Sequence, residues 1–247
     1  MKKIIALILA LCILATGVVL CFVFDVFSFF GKDVEETDGI EVFKRLYSVS
    51  EPTKVVVSQT TVLGNVTLKG SSTLATGALN DGRIATVYTY NYEVLQSVQT
   101  GAGSVITPIM GEPLTGSREY VEGQGSREDG GAWDATGTNF APKAGSIAIN
   151  LDETKLKNCT YTTDGALQTL SFTVEAANAV SVFGDEANEI VSDVNVVITA
   201  NAAVVTGITI SYSEELVSED EDIAYPEANI TISTVYTYDI EEITLVK

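Results

Sequence analysis

Residues Ile4 to Phe24 form an unbroken apolar run, with no charge and no proline, directly after Met1-Lys2-Lys3. A helix over these residues rises about 1.5 Å per residue and spans roughly 30 Å, which is the thickness of the hydrocarbon core of a bilayer. The two lysines precede the run and Asp25 follows it. The positive-inside rule therefore predicts a single-pass membrane protein with a cytoplasmic N-terminus and its C-terminal domain outside.

Two other interpretations of this segment compete with an uncleaved anchor. Ala15-Thr16-Gly17 supplies small residues of the kind that signal peptidase cuts after, and cleavage there would give a secreted protein. The apolar run continues past that site to Phe24, which favours the anchor. A lipoprotein is the third interpretation, but Cys12 and Cys21 each follow a leucine, where lipoprotein processing requires a small residue.

The chain divides into three predicted parts: an anchor or signal over residues 1–24, a juxtamembrane linker over 25–37, and one extracytoplasmic domain over 38–247. Beyond residue 24 the chain has 12 basic and 33 acidic side chains, a difference of −21. A field of this sign repels phosphate backbones, so we expect no nucleic-acid partner.

Histidine is absent, which removes the commonest general base and metal ligand and excludes Ser-His-Asp and Cys-His catalytic sites. Two of the three cysteines lie inside the apolar run, so no disulfide can form within the domain. Cys159 could be reactive or form a cross-link, but a lone cysteine is more often a small buried side chain. There is no cluster of Cys and His for zinc and no glycine-rich phosphate loop. The composition therefore predicts a protein that is not an enzyme and that has no metal and no cofactor.

The fold prediction rests on a change of hydrophobic period. Ile40, Phe43, Leu46 and Tyr47 recur at helical spacing, which predicts a short helix over 39–48. From Lys54 the period becomes 2, and short turn signals separate the runs. A helical turn over 152–157 and a short helix before Gly184 are also predicted. The predicted strands cover 54–63, 66–76, 83–95, 103–110, 117–123, 132–137, 144–150, 166–176, 190–200, 203–213, 228–238 and 241–246.

These elements predict a mainly β fold, a curved antiparallel β-sheet or half-barrel with one or two short helices packed on it. The helix at 39–48, the strand pattern from Lys54 onward and the turn Asp129-Gly130-Gly131-Ala132 before Trp133 resemble the lipoprotein-carrier family of concave half-barrels. The resemblance implies an exported or anchored domain whose sheet binds an apolar ligand.

Aromatic side chains recur on the predicted strands and give the candidate ligand-binding site. Packing in the core or across strands is the alternative interpretation of the same pattern. The predicted site residues are Tyr88, Tyr90, Tyr92, Trp133, Tyr236 and Tyr238.

Two acidic features suggest other functions. Acids flank Trp133, and a pair of carboxylates beside a tryptophan platform would suit a glycosidase. The flanking acids are Glu119, Glu122, Glu128, Asp129 and Asp134. The run from Glu214 to Asp222 holds six acids and could bind calcium, but it lacks the spacing of a calcium loop and a glycine, and a solvated hairpin loop is the simpler interpretation.

The sequence therefore predicts a membrane-anchored extracytoplasmic binding domain, with a lipid or other apolar small molecule bound on a concave sheet. The alternative is a structural or adhesive cell-surface domain that binds another protein, and a carboxylate-based glycosidase is a distant third. The predicted contact with the membrane is made by residues 4–24.

Overall fold

The computed structural model of the chain describes residues 39–100, 103–109, 112–141, 149–214, 227–239 and 242–246. The predicted anchor over residues 4–24 and the predicted linker over 25–37 lie outside the described residues. Within the described ranges, every helix is too short or too polar to cross a membrane.

One open antiparallel sheet of eleven strands organises the described residues. The strands are β1 Lys54–Leu63, β2 Val66–Ala78, β3 Ile84–Thr100, β4 Gly103–Pro108, β5 Leu114–Val121, β6 Gly125–Glu128, β7 Leu156–Asp164, β8 Leu167–Val174, β9 Val194–Ala200, β10 Val205–Glu214 and β11 Ala228–Thr237. Their order is β6-β5-β3-β2-β1-β11-β10-β9-β8-β7, and β4 pairs with the distal half of β3. Most neighbours in space are neighbours in sequence, which confirms the prediction of short turns between antiparallel strands.

Two short helices lie against this sheet. Helix α1 covers Gly39–Val49, as predicted, and buries Ile40, Phe43, Leu46 and Tyr47. Helix α2 covers Ala179–Phe183 between two 3₁₀ turns, Ala176–Asn178 and Asp185–Glu189. Gly184 follows α2 with a φ of 91°, which favours glycine, so the predicted helix stop is confirmed.

The main core lies between the helices and one face of the sheet, which we call the helix face. Helix α1 contacts β8 and β10 there. The register places Val55, Leu74 and Tyr88 side by side on this face, and Val57, Ile208 and Ile210 belong to the same face. The main core joins α1 and α2 to apolar side chains of β1, β2 and β8–β11. Burial of an apolar side chain of this size stabilises the fold by about 1.5–3 kcal/mol.

The opposite face of β3 and β5 has a smaller buried patch. Ala85, Val121 and Glu119 are fully buried there. The Glu119 carboxylate accepts hydrogen bonds from the Arg127 guanidinium and from the Val246 amide, and Arg127 also donates to the Val246 carbonyl at 3.0 Å. This ion pair holds the C-terminal segment 242–246 against the sheet.

Two predicted strands are wrong. Residues 132–137 have one isolated bridge, between Asp134 and Ser126, followed by a turn at 135–136. The turn forms because the Asp134 side chain accepts hydrogen bonds from the Thr136 amide and hydroxyl and the Asp134 carbonyl accepts one from the Gly137 amide. Residues 242–246 have one isolated bridge to Ala78 and no strand. Of the predicted strand 144–150, residues 144–148 lie outside the described residues and 149–150 are irregular.

Two observed strands were not predicted. β6 has four residues, which is too short for alternation to be read. β7 begins at Leu156. The helical turn predicted over 152–157 is a single tight turn from Asp152 to Lys155. After Leu156 its side chains are exposed on both faces, so it lacks an apolar period. Cys159 lies on this edge strand and is exposed, in contrast to the expectation that it is buried, because a bulge at Lys157/Thr160 displaces the chain there.

Candidate functional site

A second apolar cluster lies on the helix face of β2 and β3, away from both described helices. Leu68, Tyr92 and Val94 are buried in it, and Val66 and Tyr90 pack against it. All five belong to two neighbouring strands, so the strands alone supply its side chains. Among the residues that the structure describes, no helix packs on this cluster, in contrast to the main core.

The tyrosines of this cluster lie over glycines of adjacent strands. Gly70 of β2 pairs with Tyr92, and a Cβ atom added to Gly70 would lie 2.3 Å from Cε1 of that ring. Gly116 of β5 pairs with Tyr90, and a Cβ there would lie 2.3 Å from the Tyr90 hydroxyl. The ring centroids of Tyr90 and Tyr92 are 5.7 Å apart. The rings thus lie along the sheet and fill the space left by two missing side chains.

Exposed apolar side chains continue the cluster along the same face. Val98 pairs with Val105 across β3 and β4, and Leu114 pairs with Tyr92 across β3 and β5. Their exposed fractions are 41%, 47% and 37%. We call Tyr90, Val98, Val105 and Leu114 the apolar margin. These residues are exposed at two places along β3, Tyr90 and Leu114 at one and Val98 and Val105 at the other.

Polar side chains separate the second cluster from the main core. Gln59, Thr61 and Ser72 are buried on the helix face of β1 and β2, and the ring of Tyr88 lies across the neighbouring strand. We call these four residues the polar seam. The Gln59 Nε2 atom donates to the Thr61 hydroxyl at 3.1 Å. The seam is thus a polar interruption of an otherwise apolar face.

Gln59 Oε1 in the polar seam is buried without a hydrogen-bond partner, and the buried Tyr88 hydroxyl lies beside the Ser72 and Tyr92 side chains. Burial, reinforced by Tyr92, raises the pKa of Tyr88 to about 12, so its hydroxyl is protonated and can donate. Leaving a buried acceptor such as Gln59 Oε1 unsatisfied costs about 1–3 kcal/mol.

The structure brings Tyr88, Tyr90 and Tyr92 together, as the alternation predicts, but it places Tyr236 and Tyr238 elsewhere. Tyr236 is buried in the main core, where burial and then Tyr238 raise its pKa. Tyr238 donates to the Val205 carbonyl, and Ser50 at the end of α1 donates to Leu46 and accepts from the Val205 amide. Both tyrosines therefore serve to pack α1 against β10 and β11.

Trp133 lies apart from the tyrosines. It stacks on the Arg127 guanidinium, with 4.8 Å from Cζ to the ring centroid. Arg127 pairs with Glu119, whose neighbour Arg118 pairs with Tyr88 on the helix face. Because side chains alternate along a strand, Arg127 and its stacked Trp133 belong to the opposite face.

Several acids near Trp133 are used in local structure. Glu119 is bound to Arg127 and Val246, and the Asp129 carboxylate accepts from the Ser117 amide at 2.6 Å. Asp134 is bound by Thr136, and these hydrogen bonds lower its pKa. This arrangement provides structural hydrogen bonds where a glycosidase would need an acid and a base.

The acidic run begins in a buried position. Glu214 ends β10 and is nearly buried, so it does not belong to the solvated loop that the sequence predicts; residues 215–222 lie outside the described residues. Burial, together with hydrogen bonding to and repulsion from Glu189, raises the pKa of Glu214 to about 7. Ile190 beside Glu189 forms an isolated bridge with Glu214, which fixes the contact.

Sequence reasoning did not select Gln59, Thr61, Ser72, Val98, Val105 and Leu114. The polar members stand at positions where alternation demands an apolar side chain, since Gln59 follows Val55 and Val57 at a spacing of two. That break in the pattern was a usable signal. The valines are ordinary strand residues, and only the sheet order shows which face they occupy.

Comparison with known proteins assigns the chain to no family. No family model and no curated protein matches the chain. Among solved structures, a DUF1329 family protein from Desulfovibrio piger is 7% identical, with 82% of this chain and 92% of that chain covered and a TM-score of 0.23. A porin-like protein from Bacteroides uniformis is 9% identical, with 75% and 96% covered and a TM-score of 0.20. The resemblance to lipoprotein carriers stays a prediction.

Proposed function

We propose that the protein is a binding domain, without enzymatic activity, that holds an apolar ligand on the helix face over β2, β3 and β5. The supporting observation is the uneven cover of that face. The described helices pack on the half formed by β8–β11, whereas the second cluster leads directly into the apolar margin. A ligand lying on Tyr90 and Leu114 would remove apolar surface from water at about 25 cal/mol per Å².

The proposed site fits the predicted tether. With residues 4–24 in a bilayer, the domain would stay close to the membrane surface, where apolar compounds are concentrated. The proposed localisation, with the domain outside the cell, follows from the lysines that precede the run.

The test uses the uncharged fluorescent probe N-phenyl-1-naphthylamine and the full chain in amphipol. We expect Leu114→Lys to weaken probe binding about tenfold or more, because a charge would be placed beside Tyr92, with which Leu114 pairs. Val197→Lys is the matched control, since Val197 is similarly exposed at 38% and its neighbours Val196 and Ile198 belong to the helix-face core, so it points to the opposite face. Equal probe binding by both variants would reject the site.

A second candidate function is protein binding through the edge of β4. Ile106 is 66% exposed, and within the described residues β4 pairs only with β3. Exposed apolar edges of this kind can pair with another chain. Ile106 lies on the face opposite Val98, so Ile106→Lys should impair association with a protein while leaving probe binding at the apolar margin unchanged.

A further inference from the structure

We propose that β4 binds a second copy of the same chain, edge to edge and antiparallel about a two-fold axis, so that the sheets of the two copies join into one. This inference rests on the second candidate function, protein binding through the β4 edge, and names the partner. It is carried by the exposure of β4 on both faces, by the absence of charge along it and by the state of the other sheet edges.

The ribbon formed by β4 and the end of β3 is exposed on both faces. Beyond Gln96, which pairs with Val66 of β2, only β4 continues beside β3 among the described strands. Every side chain from Ser104 to Ile109 is exposed, and Ile106 is the most exposed large apolar side chain among the described residues. A two-stranded hairpin without cover is marginally stable in water. Pairing with a further strand would therefore stabilise the ribbon.

The charge of the chain favours a second copy as that strand. The net charge is −19, so two copies repel each other over most of their surfaces. From Val94 to Gly111, however, the sequence has no charged side chain. Residues 194–213 are also uncharged, but they cover β9 and most of β10, whose alternate side chains are buried. A basic partner would be attracted to the carboxylates elsewhere, whereas the exposed, uncharged ribbon is a place where two acidic chains can meet.

The two strands at the ends of the sheet are protected against such pairing. β7 carries Lys157 and Asp164 and has a bulge between Lys157 and Thr160. β6 has four residues, which include Arg127 and Glu128. Charges, bulges and short length all prevent edge-to-edge association of sheets. β4 has no charge and pairs with β3 without a bulge, and its other edge has no strand among the described residues.

Pro108 limits the register of the proposed pair. Proline has no amide hydrogen to donate, so the ladder between the copies is confined to Gly103–Thr107. The midpoint of this segment is Val105, which would lie opposite Val105 of the second copy. Ile106 would face Ser104 of the second copy and would be a diagonal neighbour of the second Ile106, about 7–8 Å away. All these contacts are between uncharged side chains.

The proposed pair is small, so the contact is weak on its own. The segment Gly103–Thr107 from each copy buries much less than the roughly 1,200 Å² of a standard stable interface. We therefore expect a dissociation constant in the micromolar range for the chain in detergent. The predicted anchor would hold both copies in one membrane and raise their effective concentration.

The experiment measures self-association of the full chain in dodecyl maltoside micelles by sedimentation equilibrium across the micromolar range. We expect the parent to exchange between monomer and dimer. Ile106→Lys and Ile106→Glu should each weaken dimerisation about tenfold, because each removes an apolar contact twice and places like charges beside each other. An equal mixture of the two variants should form dimers again, since the lysine of one copy then lies beside the glutamate of the other.

Val197→Lys, Val197→Glu and their mixture are the matched control. Val197 is also exposed on the face opposite the helix face, but it lies on β9, so these variants should associate as the parent does. Ile106 variants that stay monomeric when mixed, or that dimerise as the parent does when alone, would overturn the pairing of β4 with itself. A parent that is monomeric at every concentration would also overturn it, while the second candidate function, association with a different protein, would stand.

Discussion

The two halves of the helix face are built from the same kind of strand but are covered differently. On β8–β11, alternating Val, Ile and Leu side chains meet α1 and α2 and form the main core. On β2 and β3, the same alternation carries tyrosines, which lie over glycines of neighbouring strands and lead into exposed valines. The comparison shows that alternation assigns a side chain to a face, while the element opposite that face decides whether the side chain is core or surface.

Buried polar groups do not follow this division. Gln59 Oε1 at the boundary is buried without a hydrogen-bond partner, but so is the hydroxyl of Tyr47 in the main core. At the end of α1, Ser50 donates to the Leu46 carbonyl and accepts from the Val205 amide. The two halves therefore differ in apolar cover, and both contain an unsatisfied buried group.

The largest expected effect tests the helix-covered half. Phe43 of α1 is fully buried, and Phe43→Ala should lower the free energy of unfolding by about 3–5 kcal/mol through lost burial and the cavity left behind. Leu114→Ala in the apolar margin should lower it by about 1 kcal/mol or less, since the side chain is partly exposed, yet it should weaken probe binding. Urea unfolding of the full chain, followed by circular dichroism, measures both.

A larger loss of stability in Leu114→Ala than in Phe43→Ala would contradict this comparison. If Leu114→Ala destabilised the protein as much as Phe43→Ala, the second half would be a core like the first. Val49→Ala is the control for α1, because Val49 is 59% exposed on the same helix and its truncation should change stability little.

Much of the fold follows from local sequence signals. The α1 helix, nine of the observed strands in whole or in large part and the stop at Gly184 were predicted from hydrophobic period and turn residues. The errors arose where side chains satisfy the backbone without a strand, as Asp134 and Thr136 do, or where an edge strand such as β7 has no buried face. Local pattern carries no information on such contacts.

The candidate site was predictable in part. The sequence grouped Tyr88, Tyr90 and Tyr92 because they share a strand face. It also grouped Tyr236 and Trp133 with them, because alternation cannot distinguish a residue under a helix, or on the opposite face, from one at an open margin. The order of the strands, which joins β1 to β11, was needed to separate these positions.

The second prediction concerns pH and again the helix-covered half. The pKa of Glu214 is raised to about 7 in the folded protein from an ordinary 4.5. Between these values the folded state binds more protons than the unfolded state, so stability falls as pH rises from about 4.5 to 7. Urea unfolding of the parent and of Glu214→Gln across pH 4.5–8 measures the difference.

The control for this prediction is an exposed acid. Glu122→Gln removes the same charge from an exposed position after β5. Its free energy of unfolding should change with pH as that of the parent does, because general charge repulsion in this acidic chain affects both proteins alike. A constant difference between the parent and Glu214→Gln across the range would contradict the assignment of a stabilising proton to Glu214.

The smallest expected effect compares two glycines within the helix-free half. An alanine at Gly70 would place its Cβ 2.3 Å from the Tyr92 ring, which is buried beside Leu68 and Val94 and has no space to move. We expect Gly70→Ala to lower the free energy of unfolding by about 1–2 kcal/mol through this overpacking.

An alanine at Gly116 would meet Tyr90 at the same distance, but that ring is only partly buried and can turn toward solvent. The gain from replacing a glycine within a strand then offsets most of the cost, so Gly116→Ala should change stability by about 0.5 kcal/mol or less. Urea unfolding of the two variants measures the gap between a ring that belongs to the second cluster and one that belongs to the apolar margin. Equal losses would show that Tyr90 is held as firmly as Tyr92, and the margin would then be packed surface that is unable to adapt to a ligand.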